Sequence, residues 1–247
     1  MALYSRDAFA GRRALVTAGA SGIGAAISKA LADAGCDVVV AARRSAEAER
    51  WAGEIGGVAA TLDVTDGDAV RQVVADNGPF DILVNNAGVD QHAFFTKTTP
   101  EEWRTLIEVN LISVFSCTHA VLPAMQEKRF GRIINIGSEA GRLGSKGGSV
   151  YSAAKGGMNA FTKSIARENA RFGITCNAVL PGPVQTPLLE KAVEQGGEKL
   201  REAMAAATLV GRLGDPAEVA AAVVFLASDA AGFVTGEIVG VSGGMGC

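Results

Sequence analysis

The sequence predicts one α/β domain in which helices cover both faces of a parallel sheet. Apolar runs of strand length alternate with stretches of helical period, glycines stand where the first strand passes into the first helix, and no linker or repeat divides the 247 residues. Alternating strands and helices require right-handed crossovers, which make neighbouring strands parallel. We therefore expect residues 1–247 to form a single doubly wound domain with about seven strands.

The first half of the chain carries four of these strands. The strands are short, largely apolar runs, and the segments between them have helical periodicity. Gly35 follows the first helix as a C-terminal capping glycine would. The predicted elements are strand 13–17, helix 23–34, strand 37–42, helix 45–55, strand 58–62, helix 66–76 and strand 81–84.

The second half continues the alternation and contains two capping signals. Thr99 can cap a helix, Pro100 suits its first position, and Glu102 completes a capping box. The segment DPAE at residues 215–218 repeats this logic. The predicted elements are helix 99–128, strand 132–136, helix 150–171, strand 174–179, helix 216–228 and strand 237–241.

Composition narrows the possible functions. The net charge of -3, without a long run of one sign, argues against nucleic acid or an anionic membrane as the main partner. The longest wholly apolar run, 220–227, is far shorter than a membrane span, and residues 1–7 lack the apolar stretch of a signal peptide. We expect a cytoplasmic protein that acts on a small molecule.

The cysteines predict neither a metal site nor a disulfide framework. They are scattered, with no paired spacing of cysteine or histidine. Cys36, Cys117 and Cys176 lie among apolar residues and are expected to fill the core, whereas no role is predicted for Cys247.

A glycine-rich segment, TAGASGIG at residues 17–24, lies between the first strand and the first helix. Glycines there let the backbone approach a pyrophosphate, whose charge is favoured by the helix N-terminus. A tight turn without a ligand would use glycines too, but the strand before and the helix after favour a dinucleotide site. The predicted cofactor-binding residues are Gly19, Ser21, Gly22, Ile23 and Gly24.

The end of the second strand indicates which cofactor is preferred. An acidic residue there would bind the ribose 2′-hydroxyl and repel a 2′-phosphate. The sequence instead has Arg43 and Arg44, and guanidinium groups bind phosphate in a bidentate manner. The alternative is that both arginines are surface charges at the start of a helix. We expect NADP(H) to be preferred, with NAD(H) possible.

The segment YSAAK at residues 151–155 starts the helix after the fifth strand. Residues four apart share a helix face, so Tyr151 and Lys155 project together. A tyrosine with its ordinary pKa of about 10 is a poor acid or base at neutral pH, but a neighbouring ammonium lowers that pKa. Ser138, just past the fifth strand, can hydrogen-bond a substrate oxygen as charge develops on it.

Together these residues resemble the short-chain dehydrogenase/reductase family along essentially the whole chain. The resemblance implies a Rossmann-type fold and an NAD(P)-dependent oxidoreductase that interconverts a secondary alcohol and a ketone. It also implies a homotetramer formed through helices 99–128 and 150–171. The matching motifs are the glycine-rich segment, NNAG at 85–88, DV at 63–64, EVNL at 108–111, Ser138 with Tyr151 and Lys155, and Pro181-Gly182 with Thr186.

The resemblance also implies roles for the matched residues. Tyr151 is the acid/base, Ser138 orients the carbonyl or hydroxyl, Lys155 holds the nicotinamide ribose and lowers the tyrosine pKa, and Asn110 carries a water in the proton relay. The implied cofactor contacts are Asp63 and Val64 beside adenine, Asn86, Ala87 and Gly88 behind the cofactor, Tyr151 and Lys155 at the ribose, and Pro181, Gly182, Val184 and Thr186 after the sixth strand.

One position departs from the family pattern. Ala18 stands where the family's loop usually has its first glycine, and alanine tolerates a positive φ poorly. We expect the turn to survive, with Gly19 supplying conformational freedom.

The substrate pocket is expected between three stretches, 89–94, 139–150 and 184–207. The last is long and charged, and we expect it to be a mobile lid. The predicted pocket residues are His92, Glu139, Gln185 and Leu188, although a surface position would suit His92 equally well.

The sequence leaves more than one substrate class possible. Residues 95–98, 137–145 and 232–236 resemble alicyclic hydroxyacyl-CoA dehydrogenases of the 2-hydroxycyclohexanecarboxyl-CoA type, which commonly use NAD and an acidic residue that Arg43 contradicts. The nearest rival is a reductase of 3-oxoacyl thioesters such as 3-oxoacyl-(acyl-carrier-protein), and a small cyclic or aromatic ketone is a third class. A non-catalytic NAD(P)-binding regulator is a different alternative, but such proteins usually lose Ser138, Tyr151 or Lys155, which are all present here.

Overall fold

The computed structural model describes residues 5–247, so residues 1–4 of the N-terminal segment predicted to lack a signal peptide lie outside it. The described chain forms a parallel sheet of seven strands in the order β3-β2-β1-β4-β5-β6-β7, which confirms the predicted doubly wound fold. Strand order reverses between β1 and β4, and α/β sheets bind ligands outside the carboxyl ends of the strands at such a point. The strands are β1 Arg13–Thr17, β2 Asp37–Ala42, β3 Val58–Thr61, β4 Ile82–Asn85, β5 Gly131–Ile136, β6 Ile174–Pro181 and β7 Ile238–Val241.

The helices agree with the predicted ones to within one or two residues where the apolar pattern is long. Both predicted capping boxes form, at Thr99 with Glu102 and at Asp215 with Glu218. The helices are α1 Gly22–Asp33, α2 Ser45–Ile55, α3 Gly67–Asn77, α4 Pro100–Ile107, α5 Ser113–Lys128, α6 Ala140–Leu143, α7 Ser149–Asn169, α8 Pro187–Gly196, α9 Glu198–Ala206 and α10 Pro216–Ala227.

Each face of the sheet buries its own apolar core. On one face Ile27 of α1 and Val223 of α10 pack with the sheet, and on the other Met125 of α5 and Ile165 of α7 do so. Strands covered on both faces are apolar along their length, which is why they appear as short continuous runs in the sequence. The predicted core positions of the cysteines are confirmed for Cys36, Cys117 and Cys176.

The helix predicted over 99–128 is interrupted. A π-helical turn, Glu108–Ile112, joins α4 to α5. Inside it, the amide of Asn110 donates to the carbonyl of Leu106, four residues earlier, at 3.0 Å. A side chain that bonds a carbonyl of the helical ladder favours such a local rearrangement, and π turns of this kind are frequent at functional sites.

The stretch Pro100–Lys128 has 29 residues and contains an 18-residue window with a mean hydropathy of 1.5, and within residues 5–247 it alone meets the length and composition of a membrane span. That it meets these criteria was not predicted, because polar residues interrupt its apolar runs. A core helix of a soluble protein meets the same criterion, and this one packs on the sheet and on α3. In the single chain 39% of this window is buried, and the remaining apolar residues of the helix are partly covered.

Three short helices were not predicted. The loop expected over 139–150 contains α6, and the stretch 184–207 folds into α8 and α9. The start of α8 did carry a signal, because Thr186 caps it and Pro187 occupies its first position.

Candidate active site

The four predicted catalytic residues come from three elements that meet near the carboxyl ends of β4 and β5. Tyr151 and Lys155 lie in the first two turns of α7, Ser138 follows β5, and Asn110 lies in the π turn. Lys155 is almost fully buried, and its Nζ donates to the carbonyl of Ile136 at 2.9 Å. That Nζ also lies 5.8 Å from the centroid of the Tyr151 ring.

The structure brings Ser138 and Tyr151 to the same side of the cleft. The Ser138 side chain is near enough to the phenol to lower the pKa of Tyr151, and its hydroxyl accepts from the backbone N–H of Ala140 at 3.1 Å. A substrate oxygen that met both hydroxyls would receive two hydrogen bonds from the protein.

Gly88 lies between the other two catalytic candidates. A Cβ at Gly88 would stand 2.9 Å from Oδ1 of Asn110 and 3.5 Å from Nζ of Lys155. The backbone that follows the NNAG motif therefore passes close to both side chains, and a larger residue would displace them.

The surroundings of Tyr151 and Lys155 shift the pKa of both residues. Burial raises the pKa of Tyr151 to about 12, the negative charge of Asp90 adds to this rise, and the hydrogen bond with Ser138 opposes it. Burial lowers the pKa of Lys155 to about 8, against the effect of Asp90. Burial and Asp90 thus set the direction of the Tyr151 pKa in the protein alone, and the expected lowering by the Lys155 ammonium stays a prediction. At neutral pH the phenol is protonated.

The glycine-rich segment turns at Ala18, not at Gly19. Ala18 has a φ of 49°, whereas Gly19 is not among the residues with positive φ. The expectation that Gly19 supplies the freedom is wrong, and Ala18 itself adopts the left-handed conformation. Gly19 is needed for space, because a Cβ there would lie 2.8 Å from the carbonyl oxygen of Val16 and 2.9 Å from Oγ of Ser28.

The start of α1 suits a pyrophosphate. Its N-cap, Ser21, makes no side-chain capping bond, and no acidic residue occupies its first turn. The first backbone N–H groups of a helix lack intrahelical partners and favour an anion. Gly22, with a φ of 53°, and Ile23 stand partly exposed beside them. This end of α1 therefore fits the predicted cofactor.

Thr17 and Asn86 join the ends of β1 and β4. Oγ1 of Thr17 accepts from the backbone N–H groups of Asn86 and Ala87, at 2.9 and 3.0 Å. Nδ2 of Asn86 donates to the carbonyl oxygens of Thr17 and Ala18, at 3.1 and 3.2 Å. Asn86 thus supports the glycine-rich loop from behind. Sequence reasoning missed Thr17, whose signal was a hydroxyl at the last position of the first strand.

The two arginines after β2 have different surroundings. Arg44 pairs with Glu47 at 2.6 Å, whereas Arg43 forms no ion pair with the residues that the structure describes. Hydrogen bonds from Thr65 lower the pKa of Asp63, and the charge of Arg43 contributes to that lowering. Arg43 is therefore the arginine left available for an anionic ligand. Val64 is buried next to Asp63.

The chain after β6 passes beside the glycine-rich loop. Pro181 ends β6, and the backbone N–H of Gly182 donates to Val241 of β7 at 3.1 Å. Val184 is buried and forms a bridge with Gly214. Thr186 lies against the glycine-rich loop, since a Cβ at Gly22 would be 3.5 Å from it.

The comparisons with known proteins agree with this geometry. A family model described as "Enoyl-(Acyl carrier protein) reductase" matches residues 17–246. The chain belongs to the short-chain dehydrogenase/reductase family. It is 44% identical to an acetoacetyl-CoA reductase of Shinella zoogloeoides, over 94% of this chain and 98% of that protein. It is 42% identical to the 3-oxoacyl-(acyl-carrier-protein) reductase of Escherichia coli K12, over 96% of this chain and 98% of that protein.

A solved structure of this family superposes closely. The 3-oxoacyl-(acyl-carrier-protein) reductase of Brucella melitensis has a TM-score of 0.93 and 33% identity, covering 100% of this chain and 95% of its own. The protein is thus an NAD(P)-dependent oxidoreductase of the ketoreductase type. None of these comparisons supports the non-catalytic alternative.

In this short-chain reductase, the predicted pocket residues do not all come together. Gln185 lines an open groove of about 570 Å³ at the start of α8, together with Thr186, Pro187, Glu190, Lys191 and Glu194. Leu188 is exposed, and His92 is exposed with its Nε2 3.8 Å from the Asp90 carboxylate. Their contact with substrate stays a prediction.

Glu139 lies away from the predicted substrate pocket. It is 1% exposed, and its carboxylate pairs with Arg142 at 3.3 Å. A Cβ at Gly240 or Gly246 would lie 2.7 Å from its oxygens, so the C-terminal segment covers it. The carboxylate offers no surface to a substrate here, and its predicted place in the pocket is corrected to a buried contact with the C-terminal segment.

Sequence reasoning overlooked Asp90 and Gln91. Both lie in the stretch 89–94, from which only His92 was selected as a polar pocket residue. The charge of Asp90 acts on both Tyr151 and Lys155. Gln91 contacts the start of α7.

Proposed function

We propose that this protein reduces the ketone of a 3-oxoacyl thioester to the 3-hydroxyacyl thioester in the cytoplasm, with NADPH as the preferred hydride donor. The observation that carries the proposal is the position of buried Lys155, whose Nζ lies 5.8 Å from the ring of Tyr151, with Ser138 near enough to the phenol to lower the pKa of Tyr151. Relatives named as acetoacetyl-CoA reductase and 3-oxoacyl-(acyl-carrier-protein) reductase, matched over nearly their whole length, support the substrate class.

The proposed mechanism uses the two hydroxyls on one substrate oxygen. NADPH, when bound, supplies the hydride to the carbonyl carbon. Ser138 and Tyr151 donate hydrogen bonds to the carbonyl oxygen, and Tyr151 transfers its proton as negative charge develops there, which completes the alcohol. The Lys155 ammonium stabilises the phenolate that remains. In the proposed relay, Asn110 holds a water that returns the proton through Lys155, and the proximity of both side chains to Gly88 supports this role.

The substrate test compares reducible carbonyl compounds by the loss of absorbance of the reduced nicotinamide. We expect acetoacetyl-CoA or a 3-oxoacyl-(acyl-carrier-protein) to turn over faster than a cyclic ketone or an aromatic diketone. Tyr151→Phe should lower kcat by about 10²–10⁴-fold, the usual worth of a general acid, while NADPH still binds. Faster turnover of the cyclic ketone would overturn the substrate class, and an unimpaired Tyr151→Phe would overturn the mechanism.

The cofactor preference is proposed to depend on Arg43, because Arg44 is already paired with Glu47. A hydrogen bond to a charged group contributes about 1.5–3 kcal/mol, so Arg43→Glu should reduce kcat/KM for NADPH at least tenfold and spare that for NADH. Arg50→Glu is the matched control, since Arg50 is exposed on α2, the helix that follows Arg43, and its ion pair among the described residues is with Glu54. Equal kcat/KM for both cofactors in the parent would contradict the preference.

The lid is proposed to consist of α8 and α9. Arg201 of α9 pairs with Glu190 of α8 at 2.6 Å and with Glu198 at 2.9 Å, so the two helices are linked to each other. Such a unit would close over the substrate as one piece.

The assembly is proposed to be a homotetramer built on α5 and α7. The rings of Phe115 in α5 and Phe161 in α7 pack in a tilted arrangement with centroids 4.5 Å apart, and both stay partly exposed. Ala153 and Ala160 are exposed small residues on α7 that permit another helix to approach closely.

A further inference from the structure

The segment 89–93 is anchored at both ends near the catalytic residues, and we call it the strap. At one end, the backbone of Val89 exchanges two hydrogen bonds with the side chain of Asn110: its N–H donates to Oδ1 at 3.2 Å and its carbonyl accepts from Nδ2 at 2.9 Å. At the other end, the N–H of Ala93 donates to the carbonyl of Gly147 at 3.1 Å. The strap therefore spans from Asn110 to the loop that precedes α7.

Gln91 lies in the middle of the strap and is 8% exposed. Its Oε1 accepts from the backbone N–H of Val150 at 3.0 Å and from that of Tyr151 at 3.2 Å. Its Nε2 donates to the carbonyl of Ala93 at 3.0 Å, which holds the amide in this orientation.

These bonds take the place of a missing helix cap. The N-cap of α7 is Gly148, which has no side chain to offer. The first N–H groups of a helix have no intrahelical partners and are usually capped from within the chain just before it. Here the cap comes from Gln91, which is distant in sequence, and one of the N–H groups it accepts from belongs to Tyr151 itself.

We propose that Gln91 is a positioning residue for proton transfer, which holds the first turn of α7, and with it Tyr151, against the strap that Asn110 anchors. Gln91 does not reach the reacting atoms in this role. It acts by fixing the backbone from which the phenol projects, and small displacements of a reacting group cost rate. The proposal rests on the proposed function in one respect, namely that Tyr151 is the proton donor.

The test compares Gln91→Leu with Gln126→Leu. Gln126 is a matched control because it also makes a side-chain bond to α7, to Oδ1 of Asn169 at 2.7 Å, but at the other end of the helix. Misplacing the proton donor should lower kcat about tenfold or more in Gln91→Leu, with KM for NADPH within about twofold of the parent. Gln126→Leu should keep the parent kcat. Gln91→Glu retains an oxygen acceptor for both N–H groups but loses the donor to the carbonyl of Ala93, so its kcat should lie between those of Gln91→Leu and the parent.

Hydrogen exchange measured by mass spectrometry provides a readout that needs no substrate. In Gln91→Leu, peptides that contain Val150 and Tyr151 should exchange their amide hydrogens faster, and in Gln126→Leu they should not. Unchanged exchange in Gln91→Leu, an unchanged kcat, or an equal loss of kcat in Gln126→Leu would each overturn the proposal. A parent enzyme without thioester turnover would refute the proposed function instead, and the exchange rates would still decide the role of Gln91.

Discussion

Burial and the Asp90 carboxylate control the two titratable residues at the start of α7. Burial, followed by Asp90, raises the pKa of Tyr151 to about 12, so the phenol keeps its proton at neutral pH. Burial lowers the pKa of Lys155 to about 8, so Lys155 loses its proton before Tyr151 does as pH rises. A protonated phenol beside a charged ammonium suits the reduction of a ketone, in which the protein must donate a proton.

Asp90→Asn should move the alkaline limit of activity to lower pH. The negative charge of Asp90 raises the pKa of both Tyr151 and Lys155, so its removal lowers both. Reductase activity in the parent should decline as pH rises through about 8, where Lys155 loses its charge, and this decline should come earlier in the variant. The measurement is kcat/KM against pH, with Asp76→Asn on the surface of α3 as control. If the alkaline decline of kcat/KM in Asp90→Asn stays at the same pH or moves to higher pH, the role of Asp90 is contradicted.

Ala18→Gly should stabilise the protein. Ala18 has a φ of 49°, and an L-residue in the left-handed region costs about 1–2 kcal/mol. Glycine removes this strain, but its greater conformational freedom stabilises the unfolded chain by about 0.4–1 kcal/mol. The free energy of unfolding, measured with denaturant, should therefore rise by about 0.5–1 kcal/mol. Ala20→Gly, in the same loop, should lower stability, because Ala20 is buried and without positive φ. A destabilised Ala18→Gly would show that the alanine is not strained.

Among the elements, α1 approaches the loop after β1 so closely that one position admits only glycine. A Cβ at Gly24 would lie 2.2 Å from the carbonyl oxygen of Ala18 and 2.5 Å from Nδ2 of Asn86. Both are groups that hold the loop in place, and the carbonyl cannot move without moving the loop. The contact between α1 and the loop is thus part of the proposed cofactor site.

Gly24→Ala should therefore lower both stability and affinity for NADPH. Overpacking of this kind costs about 1–3 kcal/mol, measured as the free energy of unfolding. Gly53→Ala on α2 is the matched control, because nothing lies within 4 Å of a Cβ there. It should raise stability by about 0.5–1 kcal/mol, as alanine does inside a helix, with NADPH binding unchanged. If the two variants bind NADPH equally well, the close approach has no role in the site.

Local signals predicted the long elements well and the short ones poorly. The strands and the helices α1, α2, α3, α7 and α10 carry periodic apolar patterns, and both capping boxes formed where expected. The π turn at Asn110 was not predictable, because it depends on a side chain that bonds a carbonyl of its own helix and the distant backbone of Val89. Likewise, α8 and α9 are linked by Arg201, whose partner Glu190 is known only from the fold.

At the scale of the whole molecule, the partly covered apolar residues of the long helix are compatible with the proposed assembly. Only 39% of the apolar window in Pro100–Lys128 is buried in the single chain. An apolar helix face of this kind is usually covered by a partner. The proposed homotetramer would cover it by pairing α5 and α7 with their counterparts.

Light scattering at micromolar concentration should give the mass of four 25.3 kDa chains. Ala160→Arg places a long charged side chain on the exposed face of α7 and should produce smaller species. Ala46→Arg, on the exposed surface of α2, should leave the tetramer intact. A parent protein that is monomeric under these conditions would defeat the proposal.

The sequence by itself determined the doubly wound fold, the family and the set of residues Ser138, Tyr151 and Lys155. Apolar periodicity, the placement of glycines and the spacing of four residues along a helix are all properties of residues near each other in the chain. The tertiary structure alone decided that the phenol of Tyr151 has a raised pKa, that Glu139 lies under the C-terminal segment, and that Gln91 caps α7. Desolvation, burial and a hydrogen bond between distant segments depend on which parts of the chain meet in space, and local sequence does not encode that.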